Sequence, residues 1–193
     1  MAKLQHPELS IVAPFFNEEG VLESFASELR GVLEKLGVHY EVVLVNDGST
    51  DSSLSSVRNL DWAELRVVSL VANSGHQAAL DAGYRAATGE FVISMDSDLQ
   101  HPPVLIPRLY ETAKTQKVDV VYAVRSDRKK EKLFKQLSAG LYYSIMGKLT
   151  EIEVRKSAAD FRLVSRKVIT ILNSLTPGRQ VFRLLIPSLG FPS

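Results

Sequence analysis

Residues 90–100 read Glu-Phe-Val-Ile-Ser-Met-Asp-Ser-Asp-Leu-Gln. Glu90–Met95 is a short, nearly continuous apolar run without polar alternation, the pattern of a strand covered on both faces. Four of the next five residues are polar. They place two carboxylates, Asp96 and Asp98, two positions apart, with Gln100 at the next alternate position. The reading of the fold depends on whether this pattern, a buried strand ending in a polar cluster, recurs elsewhere.

It recurs on the N-terminal side. Leu9–Phe15 (LSIVAPF) runs into Asn17-Glu18, Tyr40–Asn46 (YEVVLVN) into Asp47-Gly48-Ser49-Thr50-Asp51, and Leu65–Val71 (LRVVSLV) into Asn73-Ser74-Gly75-His76. Val118–Val124 (VDVVYAV) reads as a fifth strand. Helical patterns separate the strands. Val21, Leu22, Phe25, Leu29, Val32, Leu33 and Leu36 fall on one helix face, with Gly37 as the stop. A short helix is predicted from Asp51 to about Leu60 with Asp51 as N-cap, and another over His76–Ala87, ended by Thr88-Gly89. Pro102-Pro103 open the next. Alternating strands and helices predict an α/β fold, an αβα sandwich around a mainly parallel sheet with right-handed crossovers.

Beyond Val124 the character changes. Arg125–Lys135 is basic, and a helix is predicted from Glu131 to about Leu149 with Leu133, Leu137, Leu141 and Ile145 on one face. Ser157–Leu163 reads as irregular, and Ser165–Leu175 as the last helix. A chain of 193 residues fits one domain, 1–193, with a half at about 8–124 and a second at about 125–193.

Composition narrows the chemistry. With no cysteine there is no disulfide, thiolate zinc site or cysteine nucleophile. The net charge of +1 argues against a generally basic nucleic-acid binder. That total hides an asymmetry: residues 1–124 hold 9 basic and 17 acidic side chains, and residues 125–193 hold 14 and 5. An acidic half suits metal ions, and a basic half suits phosphate or an anionic membrane surface. No run of about 18 uninterrupted apolar residues occurs, and Met1–Glu8 hold no apolar signal core.

Ligands of open α/β sheets sit beyond the carboxyl ends of the strands, where these polar clusters gather. Asp96, Asp98 and Gln100 are oxygen ligands suited to Mg²⁺ or Mn²⁺, a set that substrate phosphates would complete. Asp98 is alternatively a cap for the helix near Pro102. Asp47-Gly48-Ser49 is either a turn with a cap or a contact to a base or ribose. His76 reads as a structural residue at a helix start. There is no Walker-type loop and no GxGxxG.

Five blocks occur in order: Ala13-Pro14-Phe15-Phe16-Asn17-Glu18-Glu19, Val45–Asp51, Asn73–Ala79, Met95–Pro103 and Asp160-Phe161-Arg162-Leu163. Together they resemble the family 2 glycosyltransferases of the Rossmann-like GT-A fold, and within them the polyprenyl-phosphate branch. The resemblance covers about residues 8–191. That family often has tyrosine where Phe16 stands, an acidic residue at Asn46, glycine at Ala159 and a glutamate near Gly178-Arg179. These departures bear on substrate rather than class.

The resemblance implies inverting transfer of a hexose from a nucleotide diphosphate sugar to a polyprenyl monophosphate at the cytoplasmic face of a membrane. Pro14, Phe16, Glu18, Asp47, Ser49, Gln77, Asp96 and Ser97 would hold the donor, and Asp96, Asp98 and Gln100 the metal. Asp98, Asp160, Arg162 and Arg125 would carry the catalysis, with Ser126 and Arg128 behind them. The two arginines would grip the acceptor phosphate, since the guanidinium fork pairs two of its oxygens. Lys129, Lys130, Lys132 and Lys135 would meet anionic headgroups. Relatives of this kind continue past Gly190-Phe191 into membrane segments, so the chain is expected to be a catalytic domain cut short, and homo-oligomerisation is left open.

Three alternatives stand beside this one, of which a nucleotidyltransferase would show a glycine- and arginine-rich first loop that Pro14–Glu19 lacks. A hydroxyl acceptor would want a carboxylate base, and Asp160 is available for it. A non-catalytic nucleotide-sugar-binding module would need no intact Asp96 and Asp98. The Gln-x-x-Arg-Trp motif of processive synthases is incomplete here, because Leu184 follows Gln180-Val181-Phe182-Arg183.

Overall fold

A computed structural model of the chain describes residues 6–123, 160–177 and 180–193. The expected helix over 131–149, the lysine run, Arg125, Ser126 and Arg128 lie outside the described residues.

The strands form where the apolar runs predict. They are β1 (Leu9–Phe15), β2 (Tyr40–Asn46), β3 (Leu65–Ser69), β4 (Phe91–Ser94) and β5 (Val120–Tyr122). Helices α1 (Leu22–Leu36), α2 (Ser53–Arg58), α3 (His76–Ala86) and α4 (Ile106–Gln116) alternate with them, α4 following a 3₁₀ turn at Pro103–Leu105. Gly37 ends α1 with φ 68°, as its place after the last apolar position requires. Asp51 stands two residues ahead of α2 rather than at its N-cap, accepting the Ser53 N–H at 3.0 Å.

Two expectations are corrected beyond residue 159. The end of the stretch read as irregular is strand β6 (Arg162–Ser165), inserted between β4 and β5 and antiparallel to both. Its Arg-Leu-Val-Ser sequence hides the strand because a fully buried arginine stands where an apolar residue is expected. The helix read as last, α5 (Arg166–Ser174), is followed by α6 (Phe182–Ser188). Only seven residues long and containing Pro187, α6 is too short to show a helical period and too short to persist without packing.

Among the described residues the sheet has six strands in the order β3-β2-β1-β4-β6-β5, with β1 through β4 parallel. Alternate strand residues feed two cores. Leu9, Ile11, Val42, Leu44, Ile93 and Leu163 pack with α1 and α4, whereas Val12, Val43, Val45, Val92 and Val164 pack with α3, α5 and α6. Each such side chain, fully buried, contributes about 1.5–3 kcal/mol. Gly83 lets α3 lie close on the sheet, since a Cβ there would stand 2.3 Å from Val12 Cγ1. The αβα sandwich thus carries the carboxyl ends of β1, β2, β3 and β4 to one edge.

Candidate active site

At that edge lies a cavity of about 420 Å³ lined by Pro14, Phe15, Phe16, Glu18, Asp47, Asn73, Gly75, His76, Asp96, Ser97 and Asp98, a volume within the range of small-ligand sites. Seven residues expected to hold donor or metal therefore converge: Pro14, Phe16, Glu18, Asp47, Asp96, Ser97 and Asp98.

The loops that build this wall are tied to each other. Asn17, in the left-handed region at φ 53°, accepts the Thr50 N–H at 2.9 Å on its side chain and donates its own N–H to Ser49 Oγ at 3.0 Å. The Glu18 N–H reaches Ser53 Oγ at 2.8 Å. Ser49, expected at the nucleotide, thus spends its oxygen joining the β1 and β2 loops. Asp47 accepts the Ser74 and Gly75 N–H groups at 2.8 and 3.0 Å, one on each oxygen, so it shapes the β3–α3 loop as well as facing the cavity. Gly48 makes this possible: its φ is +71°, and a Cβ would stand 2.4 Å from the Ala72 carbonyl carbon. Asn46 donates to Ser69 Oγ and accepts the Ser49 N–H, both at 2.9 Å, a double role for which an amide carries both a donor and an acceptor.

The end of β4 supplies the carboxylates. Ser97, buried, donates to the Pro14 carbonyl at 2.9 Å and locks this turn to β1. Asp98 accepts the Gln100 N–H at 2.9 Å within its own turn and does not cap the Pro103–Leu105 turn or α4. Asp96 donates its N–H to His101 Nδ1 at 2.9 Å, and the His101 ring stacks on Phe161. Burial, reinforced by Asp98 and Asp51, pushes the Glu18 carboxyl up. Among the described residues no group of three histidines, aspartates or glutamates is arranged to hold a metal alone. Asp96 and Asp98 nevertheless fit a hard cation that takes its remaining ligands from substrate phosphate.

A second cluster adjoins the cavity. His76, the first residue of α3, holds Nε2 3.6 Å from Asp96 Oδ1 and 3.6 Å from Asp160 Oδ2. It belongs to the site, contrary to its reading as a structural residue. The adjacent Asp160 pushes the imidazole pKa up against the opposing effect of burial. Asp160 is nearly buried, and Arg162 binds its Oδ1 while Arg183 Nη2 binds its Oδ2 at 2.8 Å. Burial alone would raise its pKa. His76, Arg162 and Arg183 outweigh that and hold it well below the ordinary carboxylate range.

Two further expectations change here. Arg162 cannot grip an acceptor: it is 0% exposed and binds Asp160 and, at 3.1 Å, the Phe182 carbonyl. Gln77 turns its amide oxygen to the Phe182 N–H at 2.9 Å and is not among the residues that line the cavity. The arginine at the open side of Asp160 is Arg183, whose side chain is 41% exposed. Its signal in the sequence was the incomplete Gln180-x-x-Arg183 pattern.

The profile described as Glycosyl transferase family 2 matches residues 10–172. An uncharacterized glycosyltransferase of Synechocystis sp. is 38% identical over 186 residues, covering 95% of this chain and 58% of that protein. The bactoprenol glucosyl transferase of Shigella phage SfX is 36% identical over 177 residues, covering 91% and 57%. This chain thus spans little more than half the length of these relatives. A mannosyltransferase from Pyrobaculum calidifontis, solved with GDP-Man and Mn²⁺, superposes with a TM-score of 0.65 at 20% identity, over 98% of this chain and 54% of that one. Glucosyl-3-phosphoglycerate synthase from Mycobacterium tuberculosis, solved with Mn²⁺, UDP and glucosyl-3-phosphoglycerate, gives 0.60 at 23%, over 84% and 58%. At these identities the likeness to the solved structures is one of fold, and it agrees with the expected GT-A architecture.

Proposed function

The chain belongs to glycosyl transferase family 2, and from that membership we propose that it moves a hexose from a nucleotide diphosphate sugar to a polyprenyl monophosphate, with inversion. The observation that carries the acceptor assignment is the pairing of both Asp160 carboxylate oxygens, Oδ1 with Arg162 and Oδ2 with Arg183 and His76. A hydroxyl acceptor needs a base poised near the working pH. Asp160, bound by two arginines and faced by His76, is held ionised and weakly basic. A phosphate monoester needs no such base, because its second pKa is about 6 and it arrives as an anion. The similarity to a bactoprenol glucosyl transferase over 91% of the chain supports the same acceptor class.

In this reading Pro14, Phe16, Glu18 and Asp47 seat the base and ribose, and Asp96 and Asp98, with Gln100 beside them, would hold Mg²⁺ or Mn²⁺. The ion supplies neutralisation of the charge that develops on the leaving diphosphate. An acceptor phosphate oxygen attacks the anomeric carbon from the face opposite the diphosphate, and the breaking C–O bond leaves its electron pair on the diphosphate. Asp160 orients the donor sugar through its hydroxyls, and Arg183 and Arg125 relieve repulsion between the two phosphate groups. Among the described residues no helix is long and apolar enough to cross a membrane. Contact with the bilayer is proposed for the basic stretch from Arg125 onward, at a cytoplasmic leaflet rich in anionic lipid.

The test is a panel of UDP- and GDP-sugars offered with undecaprenyl phosphate and Mg²⁺ or Mn²⁺, with the lipid product identified by mass spectrometry. A polyprenyl-phosphate hexose is expected. Transfer to a sugar or protein hydroxyl, with none to the lipid, would overturn the acceptor assignment.

A further inference from the structure

Helix α6 begins at Phe182, and both polar groups of that residue's backbone are gripped by side chains remote in sequence. Gln77 Oε1, from the first turn of α3, accepts the Phe182 N–H at 2.9 Å, and Arg162 Nη1, from β6, donates to the Phe182 carbonyl at 3.1 Å. The Phe182 ring is buried edge-on against Tyr84 at 5.0 Å. Each peptide group is planar, so the two grips orient the two successive planes flanking Phe182. The second of those planes contains the N–H of Arg183, whose guanidinium meets Asp160 Oδ2 at 2.8 Å.

The far side of that pair is held by the same elements. The Tyr84 hydroxyl donates to Ser94 Oγ at 2.9 Å, and Ser94 Oγ donates to the Asp160 carbonyl at 2.7 Å. Arg162 touches both sides at once, through the Asp160 carboxylate and the Phe182 carbonyl. A seven-residue helix cannot set its own position, and the grips supply what it lacks. We infer that Gln77 and Arg162 are positioning residues that act through the Phe182 backbone to hold Arg183 against Asp160 at the edge of the donor cavity.

The inference rests on the sugar-transfer reading above, and its test separates the two. Gln77→Leu removes the acceptor of the Phe182 N–H, whereas Gln77→Glu keeps one. Gln77→Met is made alongside, so that a branched side chain that fails to fold does not end the test. Displacing a working group is expected to lower kcat of Gln77→Leu by about tenfold to a hundredfold, with donor KM and calorimetric Kd for UDP or GDP close to wild type. Gln77→Glu should recover to within about threefold of wild type, since only the accepting oxygen is needed. In an Arg183→Ala background, Gln77→Leu should cost nothing further, because the two act as one unit.

Hydrogen exchange at the Phe182 amide should quicken in Gln77→Leu and be restored in Gln77→Glu, a readout that needs no acceptor and stands even if the sugar-transfer reading fails. Weakened nucleotide binding in both the leucine and the glutamate variants would make Gln77 a donor contact and overturn the inference. So would an equal loss from Gln77→Leu with and without Arg183, or an unchanged Phe182 exchange rate.

Discussion

Arg183 reaches Asp160 at 2.8 Å from α6, while Arg162, two residues from Asp160, binds the other carboxylate oxygen from inside the protein. The two arginines are not equivalent. Arg162 is fully buried and Arg183 is 41% exposed on its side chain, so one has no alternative partner in water and the other does.

That difference predicts a split between stability and activity. Asp160→Asn strands the buried Arg162 charge and is expected to cost about 3–5 kcal/mol of unfolding free energy. Arg183→Ala removes a half-exposed partner and leaves Asp160 its contacts with Arg162 and His76, so it is expected to cost less than Asp160→Asn. Urea titrations of both variants check the order. Transfer assays should show Arg183→Ala impaired despite its near-normal fold.

Asp98→Asn is expected to remove nearly all transfer and to weaken nucleotide-sugar binding, because a neutral amide is a poor substitute for a charged ligand of a hard cation. Chelation by EDTA should have the same effect, reversed by Mg²⁺ or Mn²⁺. Full activity in EDTA would remove the metal from the proposed site.

Gly48→Ala should harm both stability and nucleotide binding. The left-handed backbone there costs an L-residue about 1–2 kcal/mol, and the added Cβ would collide with the backbone of Ala72 and Asn73. Gly83→Ala collides with Val12 and crowds Val45 within the core instead, at an expected cost of about 1–3 kcal/mol. Its nucleotide affinity, measured below its melting temperature, should be unchanged.

Glu41 predicts a pH signature away from the site. Burial would raise its pKa, but hydrogen bonds from Ser10 and Thr88, with Arg66 nearby, outweigh that and hold it below its ordinary 4.5. A lowered folded-state pKa means the unfolded chain takes up the proton first, so the stabilisation is complete above pH 4.5 and is lost as pH falls through the folded value. Melting temperatures from pH 3 to 7 should place Glu41→Gln below wild type by a constant margin at neutral pH, shrinking on the acid side. A margin independent of pH would contradict this.

The strands and helices up to Tyr122 were legible because the hydrophobic period survives in them: β1 and β2 have the bounds their apolar runs predict, and Gly37 stops α1 where its pattern ends. Local chemistry also marked the carboxylates of the cavity, since Asp47 directly follows the buried strand β2 and Asp96 and Asp98 lie in the turn after β4. Those features depend on residues near each other in sequence. The exchange of Arg162 for Arg183, the turning of Gln77 toward Phe182 and the entry of His76 into the site depend on contacts across many residues. A buried arginine on β6 gives no apolar signal, and α6 owes its place to α3 and β6 rather than to its own seven residues. Residue type alone marks a guanidinium as a candidate for phosphate. Whether it faces solvent or a buried carboxylate follows from burial and backbone geometry, which arise only when the sheet and the two helix layers close around it.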